Sequence, residues 1–319
     1  MPQLRSLIPS LVKTLPTKPR SSVQRRRDLR NGLLFAAPWL VNLAVFIAYP
    51  ILASLYFSLC SYDTLRPPRF IGLENYRFLF TEDPLFWKAL GNTLYMVAVG
   101  LPVGIAVSLG IALLMNQRLK GMAFYRTLYY LPSITPVVAT SILWLWLLNP
   151  EIGLVNLVLK GTLGVSGPGW LQAPEWSKPA LILMGLWGAG GSMVIYLAGL
   201  QGVPQQLYEA ASLDGAGKLA QFRYVTLPML SPVILFNLIM GLIGSFQYFT
   251  QVWVVYKGAS GPQDSALVYA LHLFNSAFID FRMGYACAQA WMLFLITLLC
   301  AMAVFRSSAR WVYYGGEAR

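Results

Sequence analysis

Residues 201–228 read Q-G-V-P-Q-Q-L-Y-E-A-A-S-L-D-G-A-G-K-L-A-Q-F-R-Y-V-T-L-P, a polar segment between two long apolar runs. Pro204 suits a first helical turn, where its missing N–H costs nothing. Residues 205–213 are mostly good helix formers, and Gly215 and Gly217 supply a bend. Residues 220–225 can resume a helix, which Pro228 limits. The segment therefore reads as two short helices joined by an elbow. Ala210, Ala211 and Ala216 surround the bend, and side chains this small let another backbone approach closely. Glu209 and Asp214 are its only acids and can pair with basic residues on a partner. Chemistry alone leaves two readings open: a docking surface, or an interfacial elbow that reverses the chain.

The flanks define the fold class. A spanning helix needs roughly 20 apolar residues, because about 30 Å of hydrocarbon is crossed at 1.5 Å per residue. Six segments qualify: 32–61, 89–115, 122–148, 179–200, 229–256 and 284–305. None of them holds an Asp or Glu. Composition agrees: 57% of the 319 residues are hydrophobic, only 11% are charged, and the mean hydropathy is +0.57. Soluble domains carry about 25% charged residues. The expectation is an all-α membrane protein of six transmembrane helices. A basic tail (1–31) precedes the membrane body (32–305, including the 201–228 loop), and a short tail (306–319) follows it. The first apolar run is too long for a cleavable signal and reads as a retained span.

Charge sets the direction of insertion. The N-terminal tail, the loop around Arg118 and Lys120, Arg126, the 201–228 segment and the C-terminal tail fall on one side. That side holds 16 of the 24 Lys and Arg and 4 of the 12 acids, so the net charge of +12 lies there. Positive charge marks the cytoplasm, so both termini are expected to be cytoplasmic, in a cell inner membrane. The run Arg25-Arg26-Arg27 adjoins a span and lacks interleaved aromatics. It reads as an anchor at anionic lipid headgroups, with no nucleic-acid partner.

Several activities are disfavoured by what is missing. Proton-coupled carriers place ionisable groups within the membrane, and no carboxylate lies there. The single histidine, His272, falls in the loop before the last span and reads as an ordinary loop residue with no paired carboxylate nearby. A Ser–His dyad at membrane depth and a His-Glu-x-x-His metal motif are both absent. Cys60, Cys287 and Cys300 follow neither a disulfide nor a zinc spacing. Gly215-Ala216-Gly217-Lys218 resembles a phosphate loop only superficially. Ser212 replaces its first glycine, and Leu219 replaces the hydroxyl residue that would hold magnesium. No catalytic residue, metal site or bound cofactor is expected on this chain, and any ATP and Mg would sit on a partner.

Two clusters are candidates for a solute path. The fifth span carries Asn237, Ser245, Gln247, Tyr248 and Gln251, whose amides suit sugar hydroxyls as donors and acceptors. The fourth carries Trp187-Gly188-Ala189-Gly190-Gly191-Ser192, where glycines permit a kink. Such polar groups and glycines also serve as helix-packing contacts, and that alternative stays open. Trp144, Trp146 and Trp311 read as interfacial anchors.

The run Glu209-Ala210-Ala211-x-x-Asp214-Gly215-Ala216, followed by Phe222 and Leu227-Pro228, resembles the signature loop of binding-protein-dependent ABC importer permeases. Similar to the carbohydrate and glycerol-3-phosphate (maltose-type) branch are Phe70-Ile71-Gly72-Leu73-Glu74-Asn75-Tyr76, Asn92-Thr93, Arg126, Tyr130-Leu131-Pro132, Gly153-Leu154-Val155-Asn156, Ser245-Phe246-Gln247-Tyr248-Phe249 and Met283-Gly284-Tyr285-Ala286. The outer loop departs from the branch: Lys257-Gly258-Ala259-Ser260-Gly261-Pro262, with Ser265 downstream, stands where T-x-G-G-P and a later Thr are usual. The resemblance implies a type I ABC importer transmembrane-domain fold. It also implies a sugar, polyol or glycerol-3-phosphate-type solute, a separate ATP-binding subunit dimer, a second permease subunit and an extracytoplasmic solute-binding protein. By position, Glu209 would pair with the ATPase, Ala210 and Ala211 would seat the coupling helix, and Gly215 would form its turn. The rival reading is a polytopic scaffold or assembly protein that uses the elbow only for docking.

Overall fold

The computed structural model describes residues 22–117 and 119–313. The tail before residue 22, Arg118 and residues 314–319 lie outside the described residues, and with them much of what was expected of the two tails. Among the described residues the chain divides into two compact units, one ending at Tyr56 and the other beginning at Phe57. The first contains α1 (Ser22–Asn42), a π-helical stretch (Leu43–Ala48) and the start of α2 (Tyr49–Ser58). The continuous helix Arg26–Ser58 is long and apolar enough to cross a membrane.

The second unit opens with a short antiparallel ribbon, β1 (Cys60–Ser61) against β2 (Arg69–Phe70). Next come α3 (Glu74–Thr81), α4 (Pro84–Tyr95), a π-helical stretch (Met96–Gly100) and α5 (Leu101–Met115). Then α6 (Met122–Tyr130) passes through a 3₁₀ turn (Leu131–Ile134) to α7 (Val137–Leu147), and α8 (Leu154–Leu163) lies in the following loop. The next membrane segment is α9 (Pro174–Leu186) with α10 (Gly190–Gln201). The elbow comprises α11 (Gln205–Leu213), α12 (Lys218–Gln221) and a third π-helical stretch (Phe222–Thr226), which leads into α13 (Leu227–Phe246). Finally α14 (Thr250–Tyr256), α15 (Tyr269–Phe278) and α16 (Met283–Ser308) complete the chain.

Among the described residues, four helical segments are long and apolar enough to cross a membrane, and six are if each bent pair counts as one span. The α9–α10 pair bends by 53° at the glycine-rich stretch, where a kink is permitted by the sequence. The α6–α7 pair bends by 99°, so the apolar segment 122–148 is not one straight helix. Its break coincides with Pro132 in the 3₁₀ turn and with Pro136 at the cap of α7, both unable to donate a ladder hydrogen bond.

Prolines also explain the π-helical stretches. A helical proline clashes with the carbonyl four residues earlier. For Pro50, Pro102 and Pro228 that residue is Phe46, Ala98 and Tyr224, each inside the π-helical stretch just ahead. Local widening removes the clash and the helix continues. The expectation that Pro228 limits the second elbow helix is therefore corrected: the helix runs from Lys218 through Phe246.

Packing of α5, α10 and α13 forms one core, with Leu109, Ala112, Met115, Met193, Tyr196, Leu197, Leu200 and Leu230. Gly199 makes this packing close, since a Cβ there would come within 2.9 Å of Leu230 and Val233. A Cβ on Gly190 would lie 2.1 Å from the Tyr129 carbonyl oxygen. That glycine is a packing contact. Trp144 is corrected from interfacial anchor to core residue. It is buried with Leu181, Met184 and Val252, and it meets Trp187 edge-on. Trp146 and Trp311 remain exposed.

Candidate functional site

The elbow is held by a closed set of hydrogen bonds. The Gly215 amide donates to the Ser212 carbonyl (3.1 Å) and the Ala216 amide to the Ala211 carbonyl (2.9 Å), the paired bonds of a Schellman C-cap. Gly215 takes the left-handed conformation this needs, φ +80°. Gly217 does not share that role; it is extended and precedes α12. The Gln221 amide then donates to Ser212 Oγ (2.9 Å) and to the Ala216 carbonyl (3.0 Å), while the Tyr208 and Thr226 hydroxyls meet at 3.0 Å. These bonds fix α11 against the helix that becomes α13.

Outward, the elbow is unfinished. No residue of α11 is buried. Leu213 is 90% exposed and Leu219 is 81% exposed, which leaves two leucines in water beside a tight turn. Glu209 accepts from the Gln205 amide at 2.9 Å. Among the described residues neither Glu209 nor Asp214 has an ion-pair partner. Ala210 is exposed, Ala211 and Ala216 are half-buried, and Leu227 and Pro228 lie in the first turn of α13.

A second site lies among α5, α9, α10 and α13. It is a cavity of about 500 Å³ whose wall includes Gly188, Asn237, Ser245 and Tyr248. Gln247, Gln251 and Trp187 do not line it. Gln247 caps α13 and is exposed, the Tyr248 hydroxyl donates to the Gln251 side chain, and Trp187 packs against Trp144. Ser192 of the fourth-span cluster lines it on α10, and so do two polar residues that the sequence did not single out: Ser108 on α5 and Tyr196 on α10. The Tyr196 hydroxyl is buried and has no hydrogen-bond partner among the described residues. Each is an isolated polar residue within an apolar run, the only signal the sequence offered. The Asn237 amide is partly spent, donating to the Val233 carbonyl of its own helix at 2.9 Å.

The end opposite the elbow is stitched by buried side chains. Asn75 Nδ2 donates to the Ser58 and Cys60 carbonyls, both at 2.9 Å. Asn92 Nδ2 donates to the Asp264 and Leu267 carbonyls, both at 2.9 Å, and Asn92 Oδ1 accepts from Lys178 Nζ at 3.0 Å. Ser265, in the departing outer loop, donates to Ser177 Oγ at 3.0 Å. A Cβ on Gly284 would lie 2.1 Å from the Cys60 carbonyl oxygen, so only glycine lets α16 start against β1. Thus several resemblance motifs act as ties between elements.

His272 is corrected. It lies in α15, is buried, and its Nε2 sits 2.7 Å from Asp83 Oδ2. Asp83 also accepts from the Tyr285 hydroxyl and caps α4 through the Leu85 and Phe86 amides at 2.9 and 3.2 Å. Burial alone would raise the Asp83 pKa. Hydrogen bonds from Tyr285 and His272, the His272 charge and the Leu85 amide outweigh burial and hold the carboxyl below its ordinary value. Arg126 is likewise occupied, donating from Nε and Nη2 to the Met115 carbonyl at 3.2 and 2.8 Å.

Bent membrane helices around a polar-flecked cavity, with an exposed elbow continuous with one span, define a multi-pass membrane subunit built to work with partners. The chain belongs to the family described as binding-protein-dependent transport system inner membrane component, which matches residues 100–314. A probable ABC transporter permease of Bacillus subtilis, YesP, is 40% identical over 291 residues, covering 91% of this chain and 94% of the relative. The lactose transport system permease LacF of Rhizobium radiobacter is 38% identical over 268 residues, covering 83% and 88%. The fold matches that of a bacterial alginate ABC transporter, crystallised with its alginate pentasaccharide-bound periplasmic protein. The match has a TM-score of 0.77 at 24% identity and covers 89% of this chain and 96% of that one. The chain is thus an inner-membrane permease subunit of an ABC importer and not itself an enzyme.

Proposed function

We propose that this permease imports a saccharide, that its elbow is the coupling helix, and that the cavity among α5, α9, α10 and α13 is its half of the solute path. The lactose permease at 38% identity supports the solute class. The observation that carries the coupling reading is the exposed elbow, Leu213 and Leu219 flanking a hydrogen-bonded turn with Glu209 beside it. Burying two leucines against a partner is worth roughly 1.5–3 kcal/mol each, and a carboxylate nearby can select a basic partner surface.

In this reading, an ATP-binding subunit dimer holds ATP and Mg and receives Glu209, Ala210, Ala211 and Asp214. Gly215 and Ala216 form the turn, and Leu227-Pro228 joins it to the span. Because the helix from Lys218 continues to Phe246, a pull on the elbow moves the cavity wall at Asn237 and Ser245 directly. A second permease subunit completes the path, and an extracytoplasmic binding protein delivers the solute. Gln247, Gln251 and Trp187 lie outside this chain's cavity, and a role for them would be at the contact with the second permease. Both termini lie in the cytoplasm with the elbow. The basic 1–31 tail faces lipid headgroups there, and residues 32–305 form the membrane body ahead of the 306–319 tail.

The test is ATP hydrolysis by the reconstituted complex, stimulated by its loaded binding protein. Glu209→Lys should lower the stimulated rate at least 10-fold while this chain stays inserted. Wild-type stimulation in that variant removes the elbow from the coupling reading.

A further inference from the structure

Lactose is uncharged and alginate is an acidic polysaccharide, so these similarities leave the charge of this chain's solute open. We infer that the solute is an uncharged saccharide, and that uronates and phosphorylated solutes such as glycerol-3-phosphate are rejected at the cavity bearing Ser108, Ser192, Tyr196, Asn237 and Ser245. The inference rests on the cavity being the solute path.

None of the residues lining the cavity is Asp, Glu, Lys, Arg or His. Its polar groups are hydroxyls and one amide, set in an otherwise apolar wall. Helices α5, α10 and α13 contain no cation at all. The only cation of α9, Lys178, is bound to Asn92 Oδ1 at 3.0 Å and lies over the Tyr95 ring. In the neighbouring helices, Lys88 of α4 lies 3.6 Å from Asp264 and Arg126 of α6 is spent on the Met115 carbonyl. An anion entering this cavity would lose its water and find no counter-charge, which costs several kcal/mol. A neutral saccharide exchanges water hydrogen bonds for hydroxyl hydrogen bonds at little net cost.

The test uses the full complex in vesicles, with Ser245→Cys in this chain. Modification of the introduced thiol is followed by mass spectrometry with three methanethiosulfonates, each normalised to its rate with a free thiol. One carries a neutral methyl group, one an anionic sulfonatoethyl group and one a cationic trimethylammonioethyl group. Both charged reagents should react roughly 100-fold more slowly than the neutral one, the discrimination expected of an unpaired charge in an apolar site. A normalised rate within about 3-fold of neutral for either ion overturns the inference and leaves the path reading intact. Neutral modification should also stop the stimulation of ATP hydrolysis by the binding protein isolated with its solute. Full stimulation after complete modification overturns the path reading, and the inference with it. Ser192→Cys on α10 gives the same two readouts from the facing wall if Ser245→Cys does not assemble.

Discussion

The two ends of the second unit are held together by different chemistry. At the end away from the elbow, Asn75, Asp83, Asn92, Thr93, Ser265, Tyr269 and His272 are all buried, and their bonds join residues far apart in the chain. At the elbow, the tying side chains Tyr208, Ser212 and Gln221 are half-buried or exposed, and Leu213 and Leu219 project into solvent. Buried polar groups must be satisfied or they cost free energy, and at the first end these seven side chains find their partners within this chain. The other end leaves apolar surface uncovered. A region complete in itself should respond to substitution through stability, whereas a region that awaits a partner should respond through function.

The strongest challenge to that contrast is Asp83→Ala. It removes an N-cap and leaves the His272 ring and Tyr285 hydroxyl without their acceptor. The expected loss is roughly 3 kcal/mol, read as a lower midpoint in heat or denaturant for the detergent-solubilised protein. The pH dependence follows from the direction of the shift. A carboxyl whose folded pKa is below its unfolded value stabilises the fold above the unfolded value, near 3.8 here. That stability disappears as pH falls from there through the lower folded value. Wild type should therefore lose stability below about pH 4 more steeply than Asp83→Ala. Equal slopes would mean that Asp83 is not held as an anion.

Next in size is Asn92→Ala, which strips hydrogen bonds from the Asp264 and Leu267 carbonyls and releases Lys178. Roughly 1–3 kcal/mol should be lost, and the loop around Asp264 should become the first site cut by an added protease. An unchanged melting midpoint would show that the outer end does not depend on these ties.

Much of this was legible from residues alone. The six apolar segments set the fold class, because the length of a span is imposed by the bilayer. The elbow was legible because helix formers, glycines and prolines act locally. What the sequence concealed depends on distance in three dimensions. Asp83 and His272 are 189 residues apart, and nothing local marks them as partners. Asn92 reads as a polar residue near a span end, and only the fold brings the Asp264 and Leu267 carbonyls to it. Pro228 misled in the opposite sense. A proline that ordinarily stops a helix is accommodated by widening at Phe222–Thr226, a tertiary choice that local propensity does not report. Tyr196 was passed over because a tyrosine among leucines resembles packing until its hydroxyl is found without a partner.

The smallest stability change is expected at the elbow, and it is the most informative about the contrast. Leu213→Ser replaces a side chain that is 90% exposed, so the fold should shift by less than about 0.5 kcal/mol. Burial against a partner reverses the accounting. A leucine fully covered contributes roughly 1.5–3 kcal/mol, so its loss should weaken association with the ATP-binding subunit about 10- to 150-fold. Measured side by side, the isolated chain should melt as wild type does, while the complex dissociates on dilution. A variant that destabilises the isolated chain but leaves the complex intact would invert the assignment of the two ends. Leu213 would then be packed within this chain in the membrane, and the uncovered surface of the elbow would have to be sought elsewhere on α11.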